Sequence, residues 1–260
     1  MLKTGIYIDA ENIRLSGGYG MRYNVLVDLA NAGNSVMLRA NSYLAEDRKR
    51  IGEDPEYRQK LFRYYAILRE CGFKLIKKYV KRYVDDDGVV TTKANADMDL
   101  AIDALLQSRN LDRIILLTGD GDFVRLILAL QNKGCRVEVI GFRNVSNELR
   151  ETADSFLSGF LLPGLLPING STDGDNEWKR GTVINYNTVR GFGFMRYYSL
   201  SSAGLTSDTV FFHCTKSSTD FDPHAFVNPM NIFEFRIAVN SENNNRSEAW
   251  DIRAFQEEDI

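Results

Sequence analysis

Through about residue 160, short apolar runs alternate with segments of helical period. The runs "GIYID" (Gly5–Asp9), "SVMLRANSYLA" (Ser35–Ala45), "FKLIKKYV" (Phe73–Val80), "RIILLT" (Arg113–Thr118) and "RVEVIGF" (Arg136–Phe142) predict strands. Several are apolar almost throughout, as a parallel sheet covered on both faces requires. "DPEYRQKLFRYYAILRECG" predicts a helix: Pro55 lies just inside its start, Leu61, Tyr64, Tyr65 and Leu68 fall at helical spacing, and Gly72 stops it. "ADMDLAIDALLQS" and "GDFVRLILALQNKG" predict two more, the second ending at Gly134. The expected fold class is α/β, a three-layer domain with a mostly parallel sheet over residues 1–162.

Around residues 161–177 the pattern dissolves into "LLPGLLPINGSTDGDNE", read as a linker over 163–177. Short alternating segments follow: "GTVINYN", "GFGFMRYY", "DTVFFHC", "IFEFRIAVN" and "EAWDIRAF". They predict a small five-stranded antiparallel barrel of OB-fold size over 178–256.

Composition narrows the class. With 44% hydrophobic and 26% charged residues the chain is globular rather than disordered. Cys71, Cys135 and Cys214 form no CxxC pair, so neither a disulfide framework nor a zinc knuckle follows, and a reducing cytoplasm fits. The start "MLKTGIYIDAEN" lacks the apolar core of a signal peptide. No run approaches the ~18 consecutive apolar residues of a membrane span, so no membrane partner is expected. Lys and Arg number 24 against 22 Asp and Glu up to Asn169, and 8 against 13 beyond it. Neither part is a polybasic coat, and any nucleic-acid contact must be local.

The acids carry the chemistry. In open parallel sheets, ligands bind beyond the carboxyl ends of the strands. Asp9 ends the first predicted strand, while Asp120 and Asp122 flank Gly121 where "RIILLTG" surfaces. The segment "KANADMDLAIDALLQ" adds Asp97, Asp99 and Asp103. Taken alone, Asp97 reads as a helix cap, and Asp120 with Asp122 as a solvated Asx turn. Four carboxylates converging on strand ends would repel one another unless a cation lay among them. An oxygen-only site selects Mg²⁺ or Mn²⁺, ions that activate water and neutralise a phosphodiester in flight. The two histidines, His213 and His224, lie in the C-terminal part, and there is no GxSxG or P-loop. An aspartyl-phosphate phosphatase needs D-x-D after the first strand, where this chain has Asp9-Ala10-Glu11.

The blocks "GIYIDAENI", "KANADMDLAIDAL" and "LLTGDGDFVRLILALQNKGCRVEVIGF" together resemble the NYN family, a LabA-type branch of PIN-like nucleases. The resemblance covers Leu2 to about Leu161. It implies a PIN-like sheet whose acids bind divalent metal and cleave RNA. Carried across, it makes Asp9, Asp97, Asp120 and Asp122 the catalytic, metal-holding acids. Asn12 and Thr118 become their polar neighbours, and Asp103 a supporting acid, for which a helix-face salt bridge is the alternative. Gly119 and Gly121 are expected to let the chain turn sharply, so that Asp120 and Asp122 face one ion.

In the C-terminal part, alternation places Phe192 with Phe194 on one face, and Phe211 with His213 likewise. Aromatic platforms of this kind stack single-stranded bases, although alternating aromatics also fill barrel cores. From about Lys179 to Phe255 the segment resembles a cold-shock domain, with "RGFGFM" and "VFFHC" as its RNA-binding motifs and "AWDIR" as its last strand. It departs at Asn185, where that family has tryptophan, and at Cys214, where it has an aromatic. RNA binding by this module and protein docking are therefore both open. In the first domain, Lys77, Lys78, Lys81 and Arg82 of "KLIKKYVKRYV" are candidate RNA contacts; the alternative is a charged hairpin turning at "DDDG".

The leading expectation is a Mg²⁺- or Mn²⁺-dependent endoribonuclease with an attached barrel that binds single-stranded RNA. The alternative is a catalytically weak RNA-binding regulator or protein-interaction module. DNA cleavage and oligomeric state, a homodimer included, are left open by the sequence.

Overall fold

A computed structural model describes residues 1–84, 90–93, 96–168, 178–218, 221–240 and 246–255. The chain divides into two compact units, Met1–Tyr19 with Tyr23–Ser158, and Gly20–Arg22 with Gly159–Ile260. Among the described residues no helix is long and apolar enough to cross a membrane.

The first unit is built on strands β1 (Leu2–Asp9), β2 (Ser35–Glu46), β3 (Lys74–Tyr79), β6 (Arg113–Leu117), β7 (Arg136–Gly141) and β8 (Ser155–Ser158). They lie in the order β3-β2-β1-β6-β7-β8, and every pairing is parallel. A separate two-stranded hairpin pairs β4 (Lys81–Val84) with β5 (Val90–Lys93), and the expected "DDDG" turn between them lies outside the described residues. The helices are α1 (Ala10–Leu15), α2 (Tyr23–Asn31), α3 (Arg48–Glu53), α4 (Pro55–Glu70), α5 (Asp97–Gln107), α6 (Val124–Gln131) and α7 (Asn147–Thr152). The α/β expectation holds, and each predicted strand and helix is present. Strand β8 and helix α2 were not expected, nor were α1, α3 and α7, helices of six residues held by side-chain caps from Asp9, Asp47 and Ser146.

Alternation splits the sheet residues between two layers. Tyr7, Tyr43, Leu116 and Val139 face α5 and α6 in one buried cluster with Leu100, Ala104, Ile127 and Leu130. On the other side Ile6, Ile8, Ile115 and Leu117 are buried, where α2 packs on β1 and β2. The chain leaves β1 toward β2 and β3, then returns to build β6, β7 and β8 on the opposite side. The carboxyl ends of β1 and β6 therefore form the topological switch point, where a parallel sheet opens a crevice for ligand.

In the second unit, β9 (Trp178–Asn187), β10 (Phe192–Ser201), β11 (Gly204–His213), β12 (Ile232–Asn240) and β13 (Arg246–Ala254) close a barrel in the order β10-β11-β13-β12-β9. The five-stranded barrel is as expected, but it is mixed: β11 and β13 run parallel. Parity requires this. A ring with an odd number of strands cannot alternate direction all the way round, so one neighbouring pair must run the same way. The core holds Val183, Met195, Val210, Phe212, Phe226, Phe233, Phe235, Ala249 and Ile252. Leu165 and Leu166, within the segment read as linker, are buried, and the Arg22 amide donates to the Leu165 carbonyl at 2.8 Å. The rest of that segment, 169–177, lies outside the described residues.

Candidate functional site

Asp9 is the last residue of β1 and also caps α1, its Oδ1 accepting from the Asn12 amide at 3.2 Å. Its other oxygen accepts from the Thr118 hydroxyl at 3.3 Å, and that hydroxyl in turn accepts from the Asp120 amide at 3.2 Å. The Asn12 side-chain oxygen accepts from the Gly119 amide at 2.8 Å. Two crossed links therefore join the turn after β1 to the turn after β6. Asp9 is only 6% exposed. Burial, and then the nearby Asp97 and Asp120, push its carboxyl up to about 6, against bonds from Asn12 and Thr118 that favour the charged form.

Asp97 opens α5 from an exposed position, and partial desolvation followed by Asp120 and Asp122 raises its pKa. The cap role that its position suggests is not realised: Ala96 is the capping residue, and it makes no side-chain cap bond. Asp120 does form the expected Asx turn, accepting from the Asp122 amide at 3.0 Å, with Asp122 exposed beyond it. The four acids thus act on one another electrostatically across three elements, β1, α5 and the turn after β6. Among the described residues, no three His, Cys, Asp or Glu side chains are gathered tightly enough to hold an ion. The donor chemistry nevertheless suits a hard cation. These side chains offer oxygen donors only, and a divalent ion would relieve the repulsion that adds to burial in raising Asp9 and Asp97.

The reason expected for the two glycines needs correction. Neither Gly119 nor Gly121 has positive φ. Gly121 lacks room instead: a Cβ there would lie 2.9 Å from Ser146 Oγ, whereas one on Gly119 would meet Val145 Cα at an ordinary 3.4 Å. The Val145–Ser146 corner after β7 is pressed onto the turn, with the Ser146 amide donating to the Gly119 carbonyl at 2.9 Å. The sequence reading missed this corner, although Ser146 two residues before Glu148 carries the signature of a helix start.

Asp103 makes no salt bridge among the described residues, the alternative weighed for it; it accepts from the Tyr43 hydroxyl at 2.9 Å. Asn41 Nδ2 donates to Tyr43 Oη at 3.1 Å and to Gln107 Oε1 at 3.3 Å, and Tyr7 Oη donates to Gln107 at 3.1 Å. This buried polar chain runs beneath α5 and ends at Tyr43, the strand partner of Asp9.

Two of the four basic candidates are paired with acids. Lys77 pairs with Glu46 at 2.7 Å and lies over the Tyr65 ring, and Lys78 pairs with Asp99 at 2.8 Å. Their charges are compensated within the domain because both acids lie on neighbouring elements. Lys81 and Arg82 lie on β4, and their side chains fall outside the description.

On the barrel, Phe192 pairs with His213 and Phe194 with Phe211 across β10 and β11, which puts all four on one face. The Phe211 ring centroid lies 5.8 Å from that of Phe192 and also from that of Phe194. Phe194 is 41% exposed, whereas Met195 and Phe212 of the alternate positions are fully buried. The four therefore form an outer patch rather than core. Gly193 is fixed by close approach, since a Cβ there would collide with the Asn185 carbonyl.

The low amplitude and bright protein LabA of Synechococcus elongatus is 29% identical to this chain over 162 residues, covering 60% of this chain and 82% of LabA. A crystal structure of a protein of unknown function from Vibrio parahaemolyticus is 28% identical, covers 60% of this chain and 92% of its own, and superposes with a TM-score of 0.47. Residues 3–165 match the NYN domain. With the acid-bearing sheet and more than half its length inside that match, the chain belongs to the NYN family, a PIN-like nuclease family.

Proposed function

We propose that this protein is a Mg²⁺- or Mn²⁺-dependent endoribonuclease, with Asp9, Asp97, Asp120 and Asp122 as its metal-holding acids. The observation that carries the reading is the mutual influence of Asp9, Asp97 and Asp120 at the switch point of a NYN-family sheet. NYN nucleases generally use divalent metals, and such an ion supplies an activated water and charge neutralisation at the phosphodiester. Within this scheme Asn12 and Thr118 fix the spacing of the two turns, so that Asp9 and Asp120 are held near one another. Asp103 acts at one remove, through Tyr43. The barrel, taken as a separate module over 178–256, resembles a cold-shock domain, and its Phe192, Phe194, Phe211 and His213 stack single-stranded RNA at about 1–3 kcal/mol per base.

The test is incubation of purified protein with single-stranded RNA, structured RNA and single-stranded DNA, each with Mg²⁺, Mn²⁺ or EDTA. Internal cleavage of RNA that EDTA abolishes supports the reading. A second reading, an RNA-binding regulator with little turnover, draws on the loose spacing of the acids. RNA binding without cleavage under every metal condition decides for it.

A further inference from the structure

At the carboxyl end of the sheet, β2 hands over to α3 and β3 ends at Tyr79. Most cations here are matched to acids: Lys49 to Glu53, Arg50 to Asp54, Lys77 to Glu46 and Lys78 to Asp99. Arg48 differs. Its guanidinium lies over the Tyr79 ring, 3.4 Å from the centroid, and both side chains are exposed, Tyr79 by 45%. Among the described residues it is held by a ring and by no carboxylate, and such a guanidinium offers its positive charge and a planar outer surface.

The pair also lies at the correct edge. Tyr79 is the strand partner of Glu46, three residues beyond Tyr43, which is the partner of Asp9. With strands about 4.8 Å apart and a rise of about 3.3 Å per residue, the Tyr79 Cα lies roughly 14 Å from that of Asp9. Tyr79 shares the sheet face of Lys77 and Tyr65, whereas Asp9 shares the face of Tyr7 under α5. A strand that reaches both passes over the end of β2, where Arg48 begins α3.

We infer that Arg48 and Tyr79 form a stacking platform for one unpaired base of the RNA strand that the acids cleave. Bases splayed out of a single strand stack on aromatic rings and on arginine planes, and the retained charge of Arg48 serves the adjoining phosphate. Duplex RNA keeps its bases stacked inside and cannot use such a platform, so the pair selects for single strands. This inference rests on the ribonuclease reading.

The experiment uses the full chain carrying Asp97→Asn, so that RNA stays intact, together with Phe192→Ala and Phe211→Ala, so that the barrel patch does not contribute. Its ligand is a short single-stranded RNA with 2-aminopurine in place of adenine, whose emission falls on stacking. In that background, Arg48→Ala and Tyr79→Ala are each expected to raise Kd about tenfold and to abolish the quench, a loss in the range for one base–aromatic stack. Tyr79→Phe should bind as the parent does. Arg48→Lys keeps the charge but loses the plane, and should restore neither affinity nor quench. Unchanged Kd and quench in both alanine variants, in a protein whose wild type cleaves RNA, overturn the platform alone. Full recovery by Arg48→Lys overturns stacking in favour of charge. A wild type that neither binds nor cleaves RNA overturns both the platform and the ribonuclease reading.

Discussion

The Gly119 amide donates to the side-chain oxygen of Asn12 at 2.8 Å, tying the turn after β6 to the turn after β1. Asn12→Leu removes the acceptor and leaves a partly buried amide unmatched, at about 1–3 kcal/mol. Folding should survive, with a lower melting temperature. Cleavage should fall by more than that destabilisation accounts for, because the two acid-bearing turns lose their fixed spacing. Equal activity per folded molecule in Asn12→Leu and wild type would show that the link serves stability only.

Asp97→Asn separates two roles for the same residue. Since Ala96, and not Asp97, occupies the cap position, the substitution should leave the melting temperature within a degree or two. Loss of one anionic ligand should lower RNA cleavage at least 100-fold, partly recovered by high Mn²⁺. Asp120→Asn should behave alike, and the double variant should lose little more than either single one, since both disable one unit. Wild-type cleavage by both single variants would remove this constellation from catalysis.

The pKa of Asp9 links the site to stability. Its carboxyl is raised from an ordinary 3.8 to about 6. A raised acid favours the folded state while protonated. That contribution is complete below about pH 4 and is lost as pH rises through about 6, amounting to roughly 3 kcal/mol. In EDTA, wild type should therefore lose stability relative to Asp9→Asn between pH 4 and pH 7, as read by urea unfolding. At pH 7.5 a divalent cation should restore stability to wild type and not to the variant. Parallel pH profiles for the two proteins would show that Asp9 is not the group responsible.

Gly121→Ala places a methyl group 2.9 Å from Ser146 Oγ. Overpacking of this kind typically costs about 1–3 kcal/mol and shifts backbone, here the backbone carrying Asp120 and Asp122. Activity should fall sharply. Ser146→Gly, which weakens the α7 cap by only a few tenths of a kcal/mol, should restore much of it in the double variant. Failure of that rescue would assign the loss to backbone conformation instead of contact.

The double variant Phe192→Ala, Phe211→Ala removes two rings of the outer barrel patch while leaving the buried Phe212 and Met195 in place. RNA affinity should drop about tenfold or more, with an unchanged unfolding transition for the first unit. Normal RNA affinity would make the barrel a protein-docking or structural module.

What the sequence made legible was whatever local chemistry determines. Apolar runs announced β1 and β6, and Asp9 and Asp120 were conspicuous because one carboxylate ends the first run and the other follows the second within three residues. The partnerships were not legible. Lys77 and Lys78 looked like free cations because their acids, Glu46 and Asp99, lie 31 and 21 residues away in sequence. Gly119 and Gly121 looked like turn residues because the corner that presses on them belongs to the next strand of the sheet. For Asp103 a supporting role and a helix-face salt bridge could not be told apart, because its donor, Tyr43, lies sixty residues earlier.

The polar chain under α5 has a mechanical meaning. Asp103 and Gln107 stand one turn apart, and each engages a tyrosine of the sheet, Tyr43 and Tyr7. Sliding the helix by one residue, or rolling it slightly, breaks both of these part-buried bonds at once. The helix is therefore indexed, with one permitted seat and no graded series of neighbouring ones. Asp97 rides at its tip, so its reach toward Asp9 is set in discrete fashion.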